Sequence, residues 1–322
     1  MHRKILTGLA LACAVQSVPA LARNIVISND DGLTSNVKAL YEALRAAGHD
    51  VIVSVPCQNQ SGMGAAIRFM RPLTPLAQPC LNDAARAGEP GVGAMTRPGF
   101  TSDFFYVDGT PVMATLYGID IAAAKRWGRA PDLVLSGPNE GQNIGSIVVT
   151  SGTVSNVQYA ADRGIPAIAL SAGHNTVGDM RLANPNSAKV AALAVDMVRA
   201  LDVRSRGEAL LPRGVSLNVN FPDELAGANW RSSRIGTYNA LRVEFVEDMG
   251  ATDAGRARGF GGQHVPGLVV GSNANAPRPD QSGDESIVNR KDISVSVMQT
   301  GYDHDRAARQ GIEERLSGLL SR

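Results

Sequence analysis

Net charge is almost absent from this 322-residue sequence: 31 Lys plus Arg stand against 30 Asp plus Glu, a formal balance of +1. Without a basic surplus there is no field to draw in a polyanion, so a nucleic-acid polymer and an acidic membrane surface are both poor partners. Long apolar runs are missing except at the N-terminus, which excludes a multi-span membrane protein. Aromatics are few (2 Trp, 6 Tyr, 7 Phe), yet a composition 44% hydrophobic and 19% charged is that of a globular chain and excludes disorder as its main state. The 5 histidines show no paired metal spacing, and His49, beside Gly48 at a helix end, reads as a surface turn residue. There is no Gly-x-Gly-x-x-Gly after the first strand to cradle a dinucleotide, and no Gly-x-Ser-x-Gly elbow. An Asp-x-Asp that would serve a phosphoaspartyl enzyme is likewise missing after that strand.

What is present begins with the one apolar run. His2, Arg3 and Lys4 precede the apolar stretch Ile5 to Val15, and Ala20-Leu21-Ala22 closes it with small residues at the positions a signal peptidase reads. The stretch is too short to cross about 30 Å of hydrocarbon, so residues 1–22 read as a cleaved signal peptide and the protein as exported, periplasmic or secreted, with no stable membrane anchor. Cleavage there removes Cys13 and leaves Cys57 and Cys80, which in an oxidising compartment are expected to form a disulfide.

The rest of the chain alternates between two periods. Asn24 to Ser28 is a short β-branched run ending in Asn29-Asp30-Asp31-Gly32, and Val37, Leu40, Tyr41 and Leu44 recur at helical spacing up to Gly48. Val51 to Val55 is a second strand closed by Pro56. Thr110-Pro111 starts a helix predicted to run to about Trp127, with a hydroxyl to cap free amides and a proline where no N–H is needed. Strands are expected at 131–136, 167–171 and 215–220, with helices at 153–163 and around Val190 to Leu201. This rhythm predicts an α/β fold: a doubly wound, mostly parallel, Rossmann-like sheet over residues 23–225. Residues 82–99 and 250–283, rich in Gly, Pro and Asn, read as long loops. From 226 to 322, β pieces near Leu241 to Val246 and Ile293 to Met298, then a terminal helix, suggest a smaller β/α extension.

In an open parallel sheet, ligands bind beyond the carboxyl ends of the strands. Those ends here carry Asn29-Asp30-Asp31, then Asn59-Gln60-Ser61-Gly62, then Ser136-Gly137-Pro138-Asn139, with Ser151-Gly152-Thr153 opening the next helix. Adjacent carboxylates among Ser and Asn oxygens form a hard donor set suited to Mg²⁺, Mn²⁺ or Ca²⁺, and two like charges side by side call for a counter-charge. A second reading stands beside it: Asp-Gly is a common turn pair, and the aspartates shape a turn. At Ser151-Gly152-Thr153, amides and hydroxyls at a helix start suit an anion, while plain N-capping uses the same residues.

The same blocks resemble the stationary-phase survival protein SurE family: Asn29-Asp30-Asp31-Gly32; Pro56-x-x-Asn59-x-Ser61-Gly62; Asp132 to Gly137 with Asn139, Gly141, Asn143 and Gly145; Ser151-Gly152-Thr153-Val154; and Leu217-Asn218-Val219-Asn220-x-Pro222. They run in family order from about residue 24 to 222. The resemblance implies a metal-dependent 5′/3′-nucleotidase. Asp30, Asp31, Ser61 and Asn139 would be the metal ligands, for Mg²⁺ or Mn²⁺, with Asp30 and Asp31 catalytic. Asn59, Asn143, Ser151, Gly152 and Thr153 would lie on the substrate side. It also implies a homo-oligomer, dimer or tetramer, using the C-terminal extension. The chain departs from the pattern at Cys57-Gln58, where the family has an acid and a base, at Ser35-Asn36, near Tyr159, and at Lys291 to Met298, where a Gly-Tyr-x-Ser-x-Thr-Pro-Leu segment is expected.

With no Ser, Cys or His nucleophile evident in the matched blocks, direct in-line attack by water on a nucleoside monophosphate is the expected chemistry. Two other readings compete: a broad acid phosphomonoesterase that scavenges phosphate, and an exported module that binds a nucleotide or phosphate without turnover. The missing charged pair at Cys57-Gln58 motivates the last.

Overall fold

The computed structural model describes residues 21–100, 102–178 and 180–320. The charged and apolar parts of the leader lie outside the described residues. No described helix is long and apolar enough to cross a membrane.

The strands are β1 (Asn24–Ser28), β2 (Asp50–Pro56), β3 (Val92–Ala94), β4 (Phe104–Val107), β5 (Leu133–Glu140), β6 (Ala167–Ala172), β7 (Val215–Asn220), β8 (Trp230–Ser233), β9 (Leu241–Val246), β10 (Gly267–Ser272) and β11 (Ile293–Gln299). The helices are α1 (Ser35–Ala46), α2 (Pro111–Tyr117), α3 (Ala124–Trp127), α4 (Gly152–Asp162), α5 (Pro185–Ser205), α6 (Asp253–Ala257), α7 (Glu285–Val288) and α8 (Arg306–Arg315). Among the described residues the main sheet has nine strands in the order β3-β4-β2-β1-β5-β6-β7-β11-β8. The six from β4 to β7 are mutually parallel, while β11 runs antiparallel to β7. The chain winds outward from β1 through β2 to β4 and then restarts at β5 on the other side of β1. The order therefore reverses between β1 and β5, which is where a doubly wound sheet opens its ligand crevice.

The strands read as continuous apolar runs because both faces are covered. Ile25, Ile27, Val51, Val53, Leu133 and Leu135 point to the layer of α1 and α5, where Val37, Leu40, Leu44, Val190 and Val198 are buried. Val26, Ile52 and Val134 point the other way, to Ile119, Ala122 and Ala123 and to Val154, Val157 and Ala160 of α4. Each full burial of a Val, Leu or Ile side chain contributes roughly 1.5–3 kcal/mol, and the alternation within β1 shows how one strand serves both layers.

Several segments differ from the sequence reading. The helix begun at Thr110-Pro111 does reach Trp127, but through a wider turn over 118–123 between α2 and α3. The 82–99 loop holds β3, and the 250–283 loop holds α6 and β10. Two strands of the C-terminal stretch, β8 and β11, join the main sheet beyond β7, and β9 with β10 forms a separate two-stranded ribbon. His49 is not a surface turn residue: it is 4% exposed, and its Nδ1 accepts the Arg23 N–H at 3.2 Å. The pairing of β1 with β2 buries it, since Asp50 donates to the Arg23 carbonyl at 2.9 Å beside it.

Cys57, just past β2, is bonded to Cys80, 23 residues on, and both are buried. The Leu81 N–H donates to the Cys57 carbonyl at 2.7 Å and the Gln58 amide to the Pro79 carbonyl at 2.7 Å, so the bridge fastens the start of the segment that carries Asn59 and Ser61. Replacing both cysteines by Ala should lower the free energy of unfolding by roughly 3 kcal/mol, mainly through the freed unfolded chain. Urea titration of the double variant against the oxidised parent reads this. An unchanged midpoint would show that the bridge contributes nothing.

Candidate active site

The crevice between the carboxyl ends of β1 and β5 is built around two side chains. In the Asn29-Asp30-Asp31-Gly32 loop the turn itself is made by Asn29, whose Oδ1 accepts the Gly32 N–H at 2.9 Å, with Gly32 at φ 86°. That frees the aspartates from turn-making and separates the two readings of the dipeptide. Their carboxylates lie 3% exposed and point at different neighbours. Asp30 Oδ1 accepts from the Thr153 hydroxyl at 2.6 Å, and Oδ2 from the Gly152 N–H at 3.2 Å, at the start of α4. Asp31 Oδ1 accepts from the Ser61 hydroxyl at 2.8 Å and the Asn59 amide at 3.0 Å, and Oδ2 from the Glu140 N–H at 2.9 Å, at the end of β5.

The structure thus brings Asp30, Asp31, Asn59, Ser61 and Thr153 into direct contact. Asn139 joins them through Thr153: the Thr153 oxygen lies 3.2 Å from Asn139 Oδ1 as well as 2.6 Å from Asp30 Oδ1. One hydroxyl proton serves one of these two acceptors at a time. Ser151 caps α4, its Oγ accepting the Val154 N–H at 3.1 Å, and the Gly152 amide is engaged with Asp30. Asn143 stands farther along, over the ends of β6 and β7. Its amide donates to Ser171 Oγ at 2.9 Å and its N–H to Asn220 Oδ1 at 2.8 Å.

Burial and the Asp31 charge push Asp30 up to about 7, against the hydrogen bond from Thr153. Burial likewise raises Asp31, opposed by the Glu140 N–H, Ser61 and Asn59. The donors to both carboxylates are neutral, so nothing in this hydrogen-bond set balances two charges. Two crowded carboxylates, an Asn carbonyl oxygen and a Ser hydroxyl are all hard oxygen donors, and their chemistry would fit a hard divalent cation. Among the described residues no group of three or more His, Cys, Asp or Glu forms a metal cluster, so neutral oxygens would have to complete the coordination.

The raised values carry a stability consequence. A carboxyl whose pKa is 3.8 unfolded and about 7 folded favours folding below the lower value, and that advantage is lost as pH rises toward 7. In metal-free protein, Asp30→Asn should therefore be increasingly more stable than the parent between pH 4 and pH 7.5. Added divalent cation should reverse the order. Denaturant titrations across that range measure it, and a difference independent of pH would mean that Asp30 titrates normally.

Two residues of the crevice were not singled out from sequence. Glu140 follows Asn139 directly; its Oε1 accepts the Gly178 N–H at 3.1 Å, and burial pushes it up to about 7. His174 comes from the turn after β6, and its ring lies against Gly141, where an added Cβ would meet Cε1 at 2.8 Å. Adjacency to Asn139 was a signal for Glu140. Nothing local marks His174, which only the β5-β6 pairing brings near.

Comparison with known proteins gives this crevice a class. The chain is 36% identical over 284 residues to the 5′-nucleotidase SurE of Gloeobacter violaceus, covering 87% of this chain and 90% of that one. It is 35% identical over 206 residues to an acid phosphatase of Yarrowia lipolytica, 62% of this chain and 56% of the Yarrowia protein. Fold, site and relatives together define a hydrolase of phosphoric monoesters. The family model described as Survival protein SurE matches residues 25–242. The solved SurE protein from Aquifex aeolicus aligns with a TM-score of 0.62 at 25% identity, over 91% of this chain and 99% of that one. The chain belongs to the SurE family.

Proposed function

We propose that this protein is an exported, divalent-metal-dependent nucleotidase that releases phosphate from nucleoside monophosphates. The observation that carries the reading is the pair of buried aspartates at the switch point whose hydrogen-bond donors are all neutral. Asp30, Asp31, Ser61 and Asn139 would hold the ion, with Mg²⁺ or Mn²⁺ suited to the donors. When bound, the cation supplies Lewis-acid polarisation of the phosphoryl group and neutralises charge as the ester breaks. The chain's own residues do the rest. Thr153 and Gly152 fix Asp30, while Asn59, Ser61 and the Glu140 N–H fix Asp31, so neither carboxylate has to reorganise during reaction. One of them orients the attacking water. Asn143 has one amide proton engaged by Ser171 and a second left for a phosphoryl oxygen.

The test is a panel of nucleoside monophosphates, sugar phosphates and a simple aryl phosphate, with Mg²⁺ or Mn²⁺ and with chelator. Chelator-sensitive release, fastest on nucleotides, is the expected result. Equal rates across the panel would favour the broad phosphomonoesterase, and tight nucleotide binding without release would favour the binding module. Export rests on the leader pattern, and N-terminal sequencing of exported protein should begin at Arg23; an intact Met1 chain in the cytoplasm would contradict it. Self-association is supported by the ribbon: Val243 and Phe245 pair with Val270 and Leu268, and all four are exposed, Phe245 by 70% and Leu268 by 62%. Sedimentation should show a dimer or tetramer.

A further inference from the structure

Behind the Asn143 turn lies a second buried carboxylate cluster that the proposed chemistry does not use. Glu285, the first residue of α7, has no solvent exposure. Its Oε1 accepts the Gly145 N–H at 2.9 Å, and its Oε2 accepts from the Asn218 amide at 3.0 Å and from the Ser296 hydroxyl at 2.8 Å. The Asn218 amide also donates to the Asn143 carbonyl at 2.9 Å, which takes a further bond of 3.1 Å from Asn220. One turn of helix later, Asn289 donates to the Asn220 carbonyl at 2.8 Å. Next to Gly145, the Ser146 N–H is accepted by Asn239 at 2.7 Å. The 143–146 backbone is therefore gripped from β7 and from the C-terminal stretch, and Glu285 is the acceptor on which two of the grips converge.

A buried carboxylate whose hydrogen-bond donors are all neutral is expensive in free energy, and an apolar side chain of similar volume would fill the space with less penalty. What the apolar replacement lacks is an acceptor for Gly145 and for the Asn218 amide. Gly145 stands at φ 60°, and a Cβ there would come within 2.7 Å of Asn239 Oδ1, so its backbone conformation is tightly specified. Holding that N–H fixes the far end of the turn that presents Asn143.

We propose that Glu285 is a positioning residue of the active site: by holding the Gly145 N–H and the Asn218 amide it sets Asn143 where the phosphoryl group binds. The C-terminal extension would then complete the phosphate side of the crevice. This inference rests on Asn143 lying on that side, as in the proposed function. Glu285 touches none of the metal donors, so it should act on phosphate and leave metal affinity alone.

The test uses the full chain loaded with Mn²⁺ and inorganic phosphate as the probe. Calorimetry gives the phosphate Kd, steady-state kinetics gives KM and kcat on a nucleoside monophosphate, and circular dichroism reports folding. Glu285→Ala, which unpairs a buried N–H, should raise the phosphate Kd and KM about tenfold, with kcat changing less and Mn²⁺ affinity unchanged. Glu285→Gln keeps an acceptor for Gly145 but turns an amino group toward the Asn218 amide, so it should recover most of the binding and stay about threefold weaker than the parent. Should Glu285→Ala fail to fold, the isosteric Gln variant decides alone. Parental phosphate Kd in the folded variants, with only thermal stability lowered, would overturn the proposal. A parent that binds phosphate but releases none from nucleotides would instead count against the nucleotidase reading, leaving the Kd comparison intact.

Discussion

Asp31→Asn, and separately Asp30→Asn, should lose chelator-sensitive phosphate release by about a thousandfold or more, together with most divalent-metal affinity, because each removes a carboxylate from the pair at the switch point. Asn keeps the size and one carbonyl oxygen, so the hydrogen bonds from Ser61 or Thr153 to Oδ1 can persist. The loss therefore isolates charge from shape. The two positions are not equivalent. Asp30 is held by the start of α4, and Asp31 by β5 and the 59–61 segment. A variant that loses turnover with metal affinity intact would identify its position as the one that orients water. If either variant keeps near-parental turnover that still responds to chelator, that aspartate is not a ligand. Metal-free stability gives a control in the opposite direction, since removing one of two crowded carboxyls relieves repulsion and burial of charge.

The part of this site legible in the sequence is the part written at strand ends. β1, β2 and β5 are short apolar runs with abrupt polar terminations, and because all three are parallel those terminations meet at one edge. Asp30, Asp31, Asn59, Ser61 and Asn139 were therefore readable as a group without knowing any distance. The role of Asn29 was not, because Asn, Asp and Gly all favour turns, and only the Oδ1 to Gly32 bond shows which side chain makes it. Nor was β4, whose Phe104 to Val107 is an aromatic run between loops with no alternating pattern. β10 was hidden for the converse reason: its Gly267 to Ser272 sits in an exposed ribbon, so burial does not impose a long apolar signature. His49 was misjudged from its position after Gly48, since the buried edge created by β1 pairing is a long-range fact. Glu285 is of the same kind, as its partners Gly145 and Asn218 are 140 and 67 residues away.

Gly152→Ala should be damaging to the crevice although it adds a single methyl group at a helix start. Gly152 opens α4 just after the cap Ser151, and helix propensity alone would favour Ala there by about 1 kcal/mol. Close approach decides otherwise. A Cβ at this position would lie 2.7 Å from Asp30 Cβ, 2.7 Å from Pro111 Cγ and 3.0 Å from Asp30 Oδ2. Pro111 is fixed at the start of α2, whose cap Thr110 is buried, so the space opens mainly by moving Asp30 or the start of α4. Displacement of a reacting group by about 1 Å lowers turnover about a hundredfold, and overpacking of this kind destabilises by about 1–3 kcal/mol. The expected outcome is therefore a loss of kcat with a lowered unfolding midpoint, against the propensity scale. Gly311→Ala in α8 supplies the comparison, since a Cβ there meets nothing within 4 Å. That variant should keep parental activity and gain slightly in stability. Should Gly152→Ala behave like Gly311→Ala, the contact between α4 and Asp30 tolerates a methyl group and α4 does not fix this carboxylate.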